Sequence, residues 1–123
     1  MSLILDGSTG ISGTAVPTLT TPIINSGYVE QVFAVTGTTP VLAVTNGSIQ
    51  TWTLSASSTP TSTLTTGQSL TLMITASVYT ITWPSVTWKT NAGVAPTLNT
   101  SGVTAVQLWN VGAILYGARV GNN

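Results

Sequence analysis

The sequence predicts an all-β protein: an antiparallel β-sandwich, jelly-roll-like, of about eight strands with an extended N-terminal arm. Three observations carry this. Apolar residues alternate with Thr and Ser at period two through most of the chain. Clusters of Gly, Pro and Asn interrupt that alternation at regular intervals. No window shows the spacing of an amphipathic helix, and no internal repeat is visible. At 123 residues, the chain is the size of one domain and can bury a real core.

Residues 1–27 form the predicted arm. Asp6-Gly7-Ser8-Thr9-Gly10 and Ser12-Gly13 are turn-formers, and Pro17 and Pro22 bracket a Thr-rich stretch. Pro removes a backbone donor and Gly widens the accessible conformations, so neither a helix nor a central strand is expected here. The arm is either an unanchored tail or a segment that docks on a neighbouring subunit. In the second case Leu3, Ile4, Leu5 and Ile11 are its anchors.

The sandwich domain is expected over residues 28–123. Tyr28 to Thr36 reads as a strand ended by Gly37-Thr38-Thr39-Pro40. Val41 to Thr45 and Ser48 to Ser57 flank Asn46-Gly47, a strong hairpin signal because both residues tolerate positive φ. In the second of these, Trp52, Leu54 and Ala56 share one face. A loop follows from Ser58 to Gly67. Ser69 to Ala76 places Leu70, Leu72, Ile74 and Ala76 on one face, and Val78 to Trp83 continues until Pro84. Val86 to Trp88 is short, a long loop runs from Lys89 to Ser101, and Val103–Asn110 with Ile114–Val120 makes a closing hairpin through Val111-Gly112.

Charge is the most unusual feature. The only ionised side chains are Lys89, Arg119, Asp6 and Glu30, or 3% of residues, where ordinary domains have about 25%. Thr and Ser, nearly a third of the chain, must wet the surface instead. Two cations cannot drive the counterion release on which nucleic-acid binding depends, so no nucleic-acid partner is expected. No apolar run approaches the ~18–20 residues that span a bilayer, so no membrane partner is expected either. Met1 to Asp6 lacks the basic start of a secretory signal.

The same scarcity argues against catalysis. The chain has no Cys and no His, so a Ser or Thr nucleophile has no usual base beside it. Lys89 lies in a stretch with nothing to tune an amine, and reads as a solvated loop residue. Asp6 and Glu30 are placed too far apart in the predicted elements for paired-carboxylate chemistry. Zinc and calcium lack their usual ligand sets, and no phosphate-cradling Gly-rich loop is present. The expectation is a non-enzyme with no cofactor and no metal.

The aromatic residues are the remaining candidates. Trp52 and Trp83 alternate in phase with aliphatic residues and read as core. Trp88 and Trp109 are the candidate interface or surface aromatics, either as contact residues or as part of a sugar-stacking platform. Edge strands are commonly blunted by charge, and this chain has almost none to use. Self-association would mask the edges, so a homo-oligomer is expected.

Tyr79-Thr80-Ile81-Thr82-Trp83-Pro84-Ser85-Val86-Thr87-Trp88-Lys89, with Gly93-Val94-Ala95-Pro96-Thr97-Leu98 after it, resembles a β-sandwich module of bacteriophage virion structural proteins. Gly67-Gln68-Ser69-Leu70-Thr71-Leu72 matches the family's lead-in to a strand, and Tyr116-Gly117 its closing pair. Leu5-Asp6-Gly7-Ser8-Thr9-Gly10-Ile11 is similar to the opening of many tail-fibre and virion proteins. The resemblance covers roughly Val32 to Val120. It implies a trimer on the exterior of a virion assembled in the host cytoplasm, touching the major capsid protein or other virion proteins. The short arm favours a capsid decoration (cement or head-fibre) protein over a long-shafted tail fibre. The alternative is a tail module that binds a glycan or host receptor through its loops at 58–67 and 89–101.

Overall fold

The structure, a computed structural model, describes Thr21, Ile23 and residues 25–123. The arm expected over residues 1–27 falls mostly outside these, and its anchors Leu3, Ile4, Leu5 and Ile11 wholly so.

The described residues form eight strands: β1 (Val32–Val35), β2 (Val41–Leu42), β3 (Ile49–Thr53), β4 (Thr61–Ser62), β5 (Ser69–Thr75), β6 (Thr87–Trp88), β7 (Thr104–Val111) and β8 (Ile114–Asn122). Six of them make one sheet in the order β1-β3-β5-β7-β8-β6, and β2 pairs with β4 in a second, two-stranded sheet. The protein is therefore all-β, as expected. The sheet is mixed, however, not antiparallel. β1 with β3, β3 with β5, β2 with β4 and β6 with β8 run parallel, while β5–β7 and β7–β8 are antiparallel.

The parallel pairs have a simple cause. Parallel neighbours need a crossover of a dozen residues or more, usually a helix. Here the crossovers, residues 36–48 and 54–68, carry β2 and β4 instead. The chain thus winds from one sheet to the other and back, stacking β3 on β1 and β4 on β2. Backbone bonds from Thr59 to Thr38 (2.7 Å), Thr61 to Pro40 (2.9 Å) and Thr63 to Leu42 (3.1 Å) tie the second pair together. A parallel bridge between Ser58 and Ile81 extends the stack. Repeat solenoids stack their turns in this way. The offsets are unequal (Val32 pairs with Ile49, but Ile49 pairs with Thr71), so the sequence shows no matching repeat.

Four expected elements change accordingly. The loop expected from Ser58 to Gly67 carries β4, which pairs with β2. Asn46-Gly47 does not make a hairpin: Val44–Asn46 is a single 3-10 turn, and the strands flanking it pair with other partners. Gly47 has φ 112°, and a Cβ there would lie 2.6 Å from the Gln31 carbonyl oxygen, so close backbone approach explains the glycine. Val78–Trp83 contributes only the bridge at Ile81, because Ser77 turns the chain at φ 53°. The first strand pairs from Val32 onwards, not from Tyr28.

β5, β6 and the β7–β8 pair follow the sequence closely. The closing turn is shifted by one residue: Gly112 (φ 59°) and Ala113 (φ 64°) are its two central positions, with Val111 opposite Ile114. Positive φ at both is the type I′ geometry that matches strand twist.

Alternation sets the core. Leu70, Leu72 and Ile74 of β5, Val106 and Leu108 of β7, and Trp52 of β3 all point inward and are fully buried. Leu42 of the smaller sheet joins the same cluster. Burying each such side chain contributes about 1.5–3 kcal/mol. Gln50 shares this inner side. Its Nε2 donates to the Ala43 and Gly47 carbonyls, both at 2.9 Å, and fastens the 3-10 turn to β3.

Candidate functional site

Strand register defines the opposite, outer face of the large sheet. One row runs Thr87, Tyr116, Trp109, Ser69 across β6, β8, β7 and β5. The next runs Ala118, Gln107, Thr71, Ile49, Val32, and a third Gly121, Ala105, Met73, Thr51, Ala34. Val32 is 59% exposed and Met73 38%. The Thr71 hydroxyl donates to Gln107 Oε1 at 2.6 Å, so the polar groups of the middle row satisfy each other.

Trp109 and Tyr116 meet on this face because they pair across β7 and β8. Their rings stack at 5.9 Å with an interplanar angle of 18°. Lys89 Nζ sits 5.1 Å from the Tyr116 ring centroid, a cation–π contact. Counting back from the type I′ turn gives this pairing, so the stack is readable once the turn is placed at Gly112-Ala113. Trp109 is half-buried on the outer face, where an interface or surface aromatic would sit.

Trp88 is not on the surface. It is a core residue, 9% exposed, packed edge-on against Trp83 at 5.2 Å and 76°. Its register partner is Gly117, and the missing side chain there makes room for the indole. Trp52, read as core, is fully buried, and Trp83 packs against the core from its edge. The motif strings thus converge: Trp83, Val86 and Trp88 come from the longest, and Gly117 from the closing pair. Gly67 and Gln68 exchange backbone bonds with Asn110 at the end of β7, both 3.0 Å.

Glu30 is the one carboxylate side chain among the described residues. It accepts a hydrogen bond from the Ser48 hydroxyl. That bond first, and a second from the Tyr28 phenol, hold its carboxyl below the ordinary range. Glu30 in turn pushes the Tyr28 phenol upward. A carboxylate stabilised in this way is a weaker base, so Ser48 gains no activation from it. Among the described residues no group of three His, Cys, Asp or Glu side chains comes together to hold a metal ion.

Two clefts flank the loop after Lys89. One, of about 400 Å³, is lined by Lys89, Thr90, Thr97, Ala118 and Arg119 with Val94–Pro96. The other, of about 320 Å³, lies between residues 77–83 and 95–100 and includes Tyr79 and Trp83. They share Ala95, Pro96 and Thr97 as a common wall.

No family model, curated protein or solved structure matches the chain. No described helix is long and apolar enough to cross a membrane.

Proposed function

We propose that the protein is a non-enzymatic structural subunit that works by self-association, as a trimeric capsid decoration protein on the exterior of a bacteriophage particle. The observation that carries self-association is the margin of the large sheet, where β1 has no strand partner on its outer side among the described residues. β1 is an edge strand of Val, Phe, Ala and Val, with no charge and no Pro, and its Val32 is exposed beside Ala34. Such an edge is a template for pairing with another chain. The uncharged outer face beside it, with Met73, Thr51 and Ala105, extends the surface available to a neighbour. On this reading the two sheets are the layers of a small sandwich closed around Leu42, Trp52 and Leu72. The phage assignment draws on the motif strings, and contact with the major capsid protein would fall to residues 1–27.

Sedimentation equilibrium on the full chain tests the first part: a trimer is expected at micromolar concentration, and a monomer at all concentrations rejects it. Difference density between particles with and without the protein tests its place on the exterior.

A second reading, a tail module that binds a glycan or host receptor, has one observation in its favour. Trp109 and Tyr116 form an aromatic pair beside Gln107 and Thr71 on an open sheet face, a suitable platform for a sugar ring. Saturable binding on a glycan array, lost in Trp109→Ala, would select it.

A further inference from the structure

Lys89 and Arg119 are the only cationic side chains of the whole chain, and both line the same cleft. Gathering like charges is unfavourable unless an anion offsets it. Among the described residues no carboxylate side chain lies in the lining of that cleft. Glu30 stands just before β1, and the strand order β1-β3-β5-β7-β8-β6 places it at the opposite margin of the sheet from β8. Among the described residues the ionised side chains are thus divided between the two margins of the sheet, the cations at one and Glu30 at the other.

The neighbours of Glu30 are equally telling. Val29 is 99% exposed and Tyr28 69%, so an apolar knob projects beside the carboxylate. At the opposite margin, the apolar cleft that contains Tyr79 and Trp83 adjoins the cationic one across the shared wall Ala95–Thr97. A carboxylate next to the exposed Val29 and Tyr28 at one margin is thus complementary to a cation pair next to an apolar groove at the other. β6 pairs with β8 only at Tyr116 and Gly117, so beyond Gly117 that edge of β8 has no strand partner among the described residues.

We infer that the protein associates head to tail, with Tyr28–Glu30 of one copy seated in the Lys89/Arg119 cleft and the adjoining Tyr79/Trp83 groove of the next. The inference rests on the self-association proposed above and specifies its contact. Such an interface is heterologous: it uses two different surfaces of the subunit and closes into a ring when the rotation between copies allows. The charge pair sets register and choice of partner, and the apolar knob supplies burial.

Charge reversal tests it on the full chain by sedimentation equilibrium. Glu30→Arg and Arg119→Glu should each weaken association by about tenfold or more. The double variant Glu30→Arg/Arg119→Glu should recover most of that loss. Circular dichroism and thermal unfolding confirm that each variant folds. Should either reversal misfold, Glu30→Gln and Val29→Ser probe the same contact and should weaken it less severely. An assembly that ignores these substitutions, or one that the double variant fails to rescue, overturns the head-to-tail contact while leaving self-association standing. Binding of polygalacturonate to the Lys89/Arg119 cleft, lost in Arg119→Glu with the assembly intact, overturns it too and makes the cleft an acidic-saccharide site. A wild-type protein that stays monomeric removes both proposals together.

Discussion

The indole of Trp88 lies against the bare Cα of Gly117. A Cβ on Gly117 would come 2.7 Å from Trp88 Cζ3, and 2.9 Å from both Leu108 Cδ2 and Val86 Cγ1. This contact ties β6 to β8 and joins residues that are far apart in the chain.

Gly117→Ala is therefore expected to destabilise the fold by about 1–3 kcal/mol through overpacking. The three crowding atoms belong to side chains, so relief is available. In a Trp88→Leu background, already weakened by loss of the indole, Gly117→Ala should cost much less. Urea denaturation of the two singles and the double measures that coupling. Additive losses would show that Leu108 and Val86, not the indole, set the crowding at Gly117.

A second prediction separates the two explanations of Gly47. In a hairpin, Asn46 and Gly47 would both matter. In the observed turn only Gly47 is constrained, by its φ of 112° and by Gln31 behind it. Gly47→Ala should cost about 1–3 kcal/mol, and Asn46→Ala less than about 0.5 kcal/mol. Comparable losses from the two would restore the hairpin reading.

Gly47 also marks the limit of what strand phase carries. Alternation identifies the inward face of β5 because Leu70, Leu72 and Ile74 make it fully apolar, whereas the inward face of β7 also carries the buried Thr104 and Asn110; the Gly112 turn places the last hairpin nearly to the residue. Phase along a strand says which face is buried, but not which strand lies alongside. Parallel partners are set by crossover length and by the pairing of β2 with β4, each of only two residues, too short to show a period. The position of Trp88 is hidden from the sequence for a related reason. Its burial depends on an absent side chain at Gly117, which periodicity within the Trp88 segment cannot reveal. The Lys89/Arg119 cleft was half legible, since two cations in the whole chain are conspicuous, but their meeting depends on the β6–β8 pairing.

The type I′ turn yields a stabilising change. Ala113 holds φ 64°, a left-handed conformation unfavourable to a residue with a Cβ. Ala113→Gly removes that penalty while adding some freedom to the unfolded chain. A net gain of about 0.5–1 kcal/mol is expected, since the left-handed penalty of about 1–2 kcal/mol exceeds the entropic one. It should appear as a higher denaturation midpoint with an unchanged slope. A loss of stability would mean that the turn is not of this type.

The last prediction concerns pH. The Ser48 hydroxyl is the larger of the two donors that hold the Glu30 carboxyl below its ordinary value, with Tyr28 the smaller. A carboxyl with a lowered folded-state pKa adds stability that is fully present above its unfolded pKa of about 4.3. That contribution disappears as pH falls through the lower, folded value. In Ser48→Ala the Glu30 titration should move up towards the ordinary carboxylate range, and Tyr28 alone should leave a small residual depression. The variant should then lose less stability than wild type when pH drops below about 4. Carbon-13 NMR titration of the side-chain carboxyl reads the shift directly, and acid denaturation reads its consequence. An unmoved Glu30 titration in Ser48→Ala would show that the hydroxyl does not stabilise the ionised form.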